Sequence, residues 1–367
     1  MKAKNFIQQL FDIGYERYFG VPDSLLSSLS KSLDFDFDKI ANLIASNEGS
    51  ALSMAMGYNL STNKFPVIYL QNSGIGNLIN PYNSLLNENI YKIPFLLLIG
   101  WRGEPGVQDE PQHIFQGKTT LDQLELMDIE YSIIANDDDY KEALIKLQKN
   151  NSRNKPYAFV IKKQFFSEDK RLFNERNTDL KRKDALKAVL KTFGEKTIYV
   201  STTGKLSREL YEYRKDTDSN NDDLYLVGGM GHTFSIAFSI AYENPEKLIV
   251  CLDGDGSILM HLGSIGLLSK YSLKNFVHIA FNNSSHQSVG GQPNYFDSLD
   301  IKNLFMSLGY KSYFNFKDVS EIQNFDLKSE KPVFINIEVN NYSDPNLIRP
   351  SSTPLENKKN FIKKLQK

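Results

Sequence analysis

The sequence predicts an α/β chain built as two doubly wound parallel-sheet domains, and three observations carry that reading. Short apolar runs rich in β-branched residues alternate with stretches of helical spacing from residue 1 to about 165, and again from 185 to 367. Between them, "KKQFFSEDKRLFNERNTDLKRKD" (162–184) is charged and weakly periodic, so 166–184 reads as a solvated linker. Third, 247–283 spells a complete strand, helix, strand unit, whose crossover returns parallel and right-handed.

In the first domain strands are expected at 16–20, 40–45, 65–70, 93–100, 129–134 and 156–162, with helices at 2–13, 23–31, 47–60, 76–86, 119–126 and 138–149. In the second, strands are expected at 196–200, 223–228, 247–252, 275–281, 309–312 and 332–339. Ile258, Leu262, Ile265 and Leu268 repeat at helical spacing, which predicts one helix over 257–269. "NNYSDPNLIRPSSTP" (340–354) is turn-rich and precedes a last helix at 355–366. Two halves of similar size and pattern suggest a duplicated architecture, although no residue-level repeat is visible.

Composition excludes several classes of function. With 43 basic and 44 acidic residues the chain has no electrostatic footprint for nucleic acid or an anionic membrane. The one cysteine, Cys251, falls in an expected buried strand and can form no disulfide within the chain. No run approaches the ~18 apolar residues of a membrane helix, and the opening "MKAKNFIQQLFDIGYERYF" lacks a signal-peptide core. The expectation is a cytoplasmic protein acting on a small molecule.

The chemistry concentrates where strands end. Gly254 and Gly256 let the main chain approach a ligand closely, and Ser257 opens a helix whose free N–H groups suit an anion. Asp255 offers a hard carboxylate and Asn283 a hard amide oxygen, the ligand types that Mg²⁺ accepts. A parallel crossover brings both to one sheet edge, so the pair suggests a metal-bound diphosphate. Dinucleotide fingerprints fail, because Ile79, Phe234 and Leu259 stand where the third glycine belongs. A nucleotide-triphosphate loop ending in Gly117-Lys118-Thr119 fails too, because its opening position is Gln112.

Gly254-Asp255-Gly256, the 25 residues 257–281 and then Asn282-Asn283 resemble the signature of thiamine diphosphate-dependent enzymes. The resemblance implies the thiamine diphosphate-binding fold, with a pyrimidine-binding domain (1–165) and a diphosphate-binding domain (185–367). It implies Mg²⁺ held by Asp255, Asn283 and the carbonyl of Ser285. It makes Glu48, in "IASNEGSALSMAMGY", the carboxylate that activates the aminopyrimidine ring, with Gly228 and Met230 of "YLVGGMGHTFSIA" cradling the cofactor. Ser201, Thr202 and Thr203 either bond the diphosphate or cap a helix.

"FGVPDSLLSSL", "QNSGIGNLINPYNSL", "LLIGWRGEPGVQDEPQHIFQGKTT", "STTGKLSREL" and "NNSSHQSVGGQPN" narrow the resemblance, within the 2-oxo-acid decarboxylases, to the phosphonopyruvate decarboxylases. This branch lacks the middle domain of larger decarboxylases, and so does the chain. Ser284 and Ser285 stand where glycine and alanine are expected. An anionic substrate needs donors, for which Arg102, His113, Lys118, Lys205, Arg208 and His286 in expected edge loops are the candidates. The resemblance adds Asp23 and Ser24 beside the substrate, and puts Gln71 where some relatives carry histidine. It also implies a homo-oligomer with sites at subunit interfaces. A sulfopyruvate decarboxylase shares most of these motifs, and a non-catalytic thiamine diphosphate binder is the alternative from another class.

Overall fold

Six parallel strands make the first sheet: β1 (Arg17–Gly20), β2 (Ala41–Ile44), β3 (Val67–Gln71), β4 (Leu96–Gly100), β5 (Glu130–Ile134) and β6 (Tyr157–Ile161), in the order β2-β1-β3-β4-β6-β5. Six more make the second: β7 (Ile198–Ser201), β8 (Leu224–Tyr225), β9 (Ile249–Gly254), β10 (Phe276–Asn282), β11 (Ser312–Phe316) and β12 (Val333–Glu338), in the order β11-β12-β10-β9-β7-β8. Read from its other edge, the second order repeats the first strand for strand. The duplication expected from the pattern is therefore a duplication of topology. This is a computed structural model describing residues 1–173, 176–217, 222–344 and 346–366.

The sheets belong to two units, Met1–Phe173 with His286–Gln292, and Asn174–Ser285 with Pro293–Lys367. Each sheet is covered on both faces, which is why its central strands are apolar throughout rather than alternating. In β4, Leu96 and Leu98 pack with Val67 and Tyr69 on one face, while Leu97 and Ile99 pack with Ile68 and Leu70 on the other. In β10, Val277 and Ile279 serve one core while Phe276 and Ala280 serve the other. No helix among the described residues is long and apolar enough to cross a membrane.

Because all strands run parallel, the turns that follow them emerge on one edge of each sheet. The order reverses between β1 and β3, and likewise between β7 and β9, and such switch points leave a crevice for ligands.

Several elements differ from expectation. The helix expected at 119 begins at Pro111 and runs to Leu126, with proline at its first turn. Its buried face is only Gly117, Thr120 and Leu124, while Ile114 and Phe115 are exposed, so the apolar period was hidden. The helix expected over 257–269 is split into Asp255–Met260, a 3₁₀ turn Leu262–Gly266 and Leu267–Lys270. It breaks at His261, whose extended φ of -135° precedes two glycines that weaken helix continuation. β11 starts at Ser312 rather than 309, because Gly309 turns the chain at φ +110°.

Burial on both faces of β4 sets a testable expectation. Leu98→Ala should destabilise the first unit by about 2–5 kcal/mol, whereas the exposed Leu126→Ala should change stability by less than about 0.5 kcal/mol. Urea unfolding followed by circular dichroism checks both.

Candidate active site

In the first unit, three turns carry the polar groups. After β2, Asn47 caps the helix Glu48–Thr62 by accepting from the Ser50 N–H at 2.9 Å. That places Glu48 in the first turn with its carboxylate buried, where Oε2 accepts from Asn77 Nδ2 at 2.7 Å. Gly74, in the turn after β3, lies against the same carboxylate so closely that a Cβ would clash with it. A side chain at 74 would therefore displace the Glu48 carboxylate from this position.

The turn after β3 also reaches the other way. Asn72 is buried, and its amide donates to the Arg102 carbonyl at 2.8 Å and to Thr120 Oγ1 at 2.9 Å, while its Oδ1 accepts from the Arg102 N–H at 3.1 Å. Gln71 points elsewhere and donates to Ser73 Oγ at 2.6 Å. Thus Asn72–Gly74 connects the Glu48 site with Arg102.

Arg102 follows β4 and is clamped by Asp109, with Nε donating to Oδ2 at 2.8 Å and Nη2 donating to Oδ1. Its Nη1 donates to Ser24 Oγ at 3.0 Å. Although burial opposes it, this fork and two backbone N–H donors hold the Asp109 carboxyl well below the usual range. Asp23 is the opposite case. Burial pushes its pKa up to about 6, against the pull of Arg102 and of backbone donors including Leu25 and Leu26. Its Oδ2 presses on Gly100, and its buried Oδ1 has no hydrogen-bond partner.

His113 and Lys118 lie on the helix Pro111–Leu126, not in a loop. Burial and Arg102 push the His113 pKa down to about 4, so this ring is neutral at pH 7. Lys118 is exposed. The helix is seated by close backbone approach, since a Cβ at Gly103 (φ +69°) would strike the His113 carbonyl and one at Gly117 the Gly103 carbonyl. His286 belongs to the segment His286–Gln292 of this unit, and burial pushes its pKa down to about 4.

In the second unit one network ties three turns together. Thr202 Oγ1, after β7, lies 3.2 Å from Ser257 Oγ, after β9, and Ser257 Oγ accepts from the Gly231 N–H, after β8, at 3.1 Å. Gly229 and Gly231 have φ of +67° and +90°, conformations that side chains resist. Gly228 is half-buried, and Met230 stands 40% exposed between the two positive-φ glycines. Ser201 is fully buried, and Thr203 is half-buried. Lys205 and Arg208 sit in the first turn of the helix Lys205–Asp216, where Lys205 has its pKa lowered by burial and by Arg182. Arg182 itself is paired with Glu209 of that helix at 2.7 Å.

Asp255 is the first residue of its helix and is buried, with Oδ2 accepting from Asn294 Nδ2 at 2.8 Å. Burial pushes its pKa up to about 6, against the hydrogen bonds from Asn294 and the Gly256 and Ser284 backbone and the charge of Arg176. Gly254 lies just before it and Gly256 inside the same first turn. Asn283 follows β10, buried, and its Oδ1 accepts from the Ser285 N–H at 3.1 Å. Asn282 braces this loop, donating to Asp297 Oδ1 at 2.8 Å and accepting from the Ser284 N–H at 3.0 Å.

The structure so groups Asp23, Ser24, Arg102 and His113, sets Glu48 beside Gly74, and separately groups Thr202, Ser257 and the Gly231 main chain. Asn72, Asn77, Asp109, Asn294 and Arg176 were not foreseen. All but Arg176 lie inside the motifs quoted above, yet nothing in those motifs marks what they hold.

Residues 2–126 match the family described as thiamine pyrophosphate enzyme, N-terminal TPP binding domain, and residues 202–337 match its C-terminal TPP binding domain. The chain belongs to the thiamine pyrophosphate enzyme family. It is 30% identical over 385 aligned positions to a phosphonopyruvate decarboxylase of Streptomyces viridochromogenes, covering 98% of this chain and 94% of that one. It is 30% identical over 388 positions to a phosphonopyruvate decarboxylase of Streptomyces hygroscopicus, covering 98% and 93%. A sulfopyruvate decarboxylase of Methanosarcina acetivorans is 28% identical over 272 positions, covering 67% of each chain. This member of the family is a decarboxylase, and its cofactor is thiamine diphosphate.

The residues present fit that cofactor. Asp255 is a carboxylate whose ionisation burial penalises, which a cation beside it would relieve, and the nearby donors Asn283 and Ser285 offer oxygen. The glycines at 229 and 231 leave main chain accessible around an exposed methionine, a surface suited to a flat ring.

The raised Asp255 pKa has a definite sign. Below the unfolded value of 3.8 the group is protonated in both states and costs nothing; between 3.8 and about 6 the unfolded chain gives up its proton first, so stability falls across that window and levels off above it. Asp255→Asn should therefore stabilise the cofactor-free protein by up to roughly 3 kcal/mol at pH 7.5 and by little at pH 4. Denaturant midpoints of parent and variant at the two pH values check this.

Proposed function

We propose that the chain catalyses the Mg²⁺-dependent decarboxylation of 3-phosphonopyruvate to phosphonoacetaldehyde and carbon dioxide, in phosphonate biosynthesis in the cytoplasm. The observation that carries the substrate is the 30% identity to phosphonopyruvate decarboxylases across 98% of the chain, including both halves of the site. The Arg102, Ser24 and Asp23 group supports it, because it gathers a fixed guanidinium edge and a proton-holding carboxyl at one sheet edge.

Asp255 Oδ1 or Oδ2, Asn283 Oδ1 and the Ser285 carbonyl would hold Mg²⁺, and Thr202 and Ser257 with the Gly231 main chain would hold the diphosphate. When bound, thiamine diphosphate supplies a nucleophilic carbon and an electron sink for the bond to the departing carbon dioxide. Glu48 would hold the aminopyrimidine nitrogen through Oε1, since Oε2 is occupied by Asn77. Met230 would prop the ring. Arg102, oriented by Asp109, presents its Nη1 edge to the anionic substrate. His113 and His286, with pKa values near 4, bind as neutral hydrogen-bonding groups rather than as cations. Asp23, with its pKa of about 6 and a bare Oδ1, can hold the proton that replaces the lost carboxylate. Lys118, Lys205 and Arg208 add positive potential, and Gln71 contributes an amide.

Replacing the phosphonate by a methyl hydrogen, as in pyruvate, leaves those donors unpaired. Two lost charge-assisted bonds are worth about 3–6 kcal/mol, or a hundredfold to ten-thousandfold in kcat/KM. Turnover of phosphonopyruvate, sulfopyruvate and pyruvate should fall in that order, and Arg102→Ala should narrow the span rather than slow all three equally. A parent enzyme that prefers sulfopyruvate would transfer the assignment to that substrate, and equal rates on pyruvate would refute both.

As in the family it resembles, the active unit is at least a dimer in which Glu48 of one subunit works with Asp255 of the partner subunit. Glu48→Gln and Asp255→Ala should each lose at least about a hundredfold in kcat. Mixing the two inactive chains under subunit exchange should restore a fraction of parent activity. Mixed oligomers that recover none would contradict the shared site.

A further inference from the structure

Ser284 lies between the two proposed metal ligands Asn283 and Ser285, and its φ is +55°. This left-handed conformation costs little for glycine and is unfavourable for any residue with a Cβ. Asparagine and aspartate tolerate it through local side-chain bonds, which a serine hydroxyl supplies less well. The serine at 284 is therefore held against its own preference.

The surroundings supply the restraint. The Ser284 hydroxyl donates to Asp297 Oδ2 and accepts from Arg176 Nη2 at 3.1 Å. The same guanidinium pairs with Asp297 through Nη2 and donates from Nη1 to the Asn282 carbonyl at 3.2 Å. Asp297 also takes the Asn282 amide at 2.8 Å, and Glu338 lies 3.6 Å from Arg176 Nη1. From the far side, the Asn294 N–H donates to the Ser284 carbonyl at 3.0 Å while its side chain holds Asp255. Together these bonds hold Asn282 and Ser284, and Asn294 ties the Ser284 carbonyl to Asp255.

We infer that Arg176 and Asp297 are positioning residues that clamp Ser284 in the left-handed conformation and so set the loop carrying Asn283 and Ser285. The inference rests on reading Asp255, Asn283 and Ser285 as the Mg²⁺ ligands. It makes the clamp the counterpart of the serine: a glycine at 284 would not need it.

Calorimetric titration of Mg²⁺ into the whole protein with saturating thiamine diphosphate tests this without measuring turnover. Ser284→Ala keeps the Cβ and loses the clamp bonds, so its Mg²⁺ affinity should drop roughly five- to thirtyfold. Ser284→Gly loses the same bonds but not the conformation, so its affinity should stay within about threefold of the parent. Arg176→Ala should weaken binding as Ser284→Ala does, and Arg176→Ala with Ser284→Gly should return to the level of Ser284→Gly. Parent-like affinity in Ser284→Ala, or a double variant as weak as Arg176→Ala, would overturn the clamp. Asp255→Ala is the control for the underlying reading. Its loss of binding alongside a parent-like Ser284→Ala rejects the clamp alone, whereas undiminished binding in Asp255→Ala rejects the metal assignment.

Discussion

The right-handed parallel crossover is the constraint on which everything else depends. It sends each turn after a strand to one edge of its sheet, so residues far apart in sequence become neighbours without a dedicated contact to bring them there. In the first unit it puts Asp23, Asn72 and Arg102 together, from the turns after β1, β3 and β4. In the second it joins Thr202, Gly231 and Ser257, from the turns after β7, β8 and β9. The repeated strand order means that one architectural solution serves twice, with the proposed activating carboxylate on one copy and the proposed diphosphate and metal groups on the other.

Both sites carry charge where the fold would rather have none. Asp23 and Asp255 are almost wholly buried and their pKa values are driven up to about 6 by that burial. The contrast with Asp109 is instructive. Its carboxylate is compensated by the Arg102 fork and stays ionised, so it acts as a fixed brace. Asp23 and Asp255 lack such a fork, which suits the roles proposed for them, one holding a proton and the other a cation. Stability conceded at these positions is what leaves them chemically responsive.

Much of this was legible in the sequence. The alternation of apolar runs and helical spacing is strong because parallel strands are buried on both faces, and β4 and β10 show it plainly. That Asp255 and Asn283 follow neighbouring strands could be read because a glycine turn and an asparagine pair flank one crossover. What escaped has a common physical cause. Asn77, Asn294 and Arg176 act by hydrogen bonds from distant segments, which leave no local pattern. The helix from Pro111 was invisible because its buried face is a glycine, a threonine and one leucine. Ser284 could be noticed as a departure from glycine, but its positive φ and the clamp around it exist only in three dimensions.

In the proposed site, binding and activation of thiamine diphosphate are divided, with Asp255 responsible for the first and Glu48 for the second. The most direct test of that division is a calorimetric titration of thiamine diphosphate, with Mg²⁺ present, into the parent, Glu48→Gln and Asp255→Ala. Nearly equal affinity is expected for the parent and Glu48→Gln, with a large loss for Asp255→Ala. Parent-like binding by Asp255→Ala, or a loss in Glu48→Gln as large as that in Asp255→Ala, would contradict it.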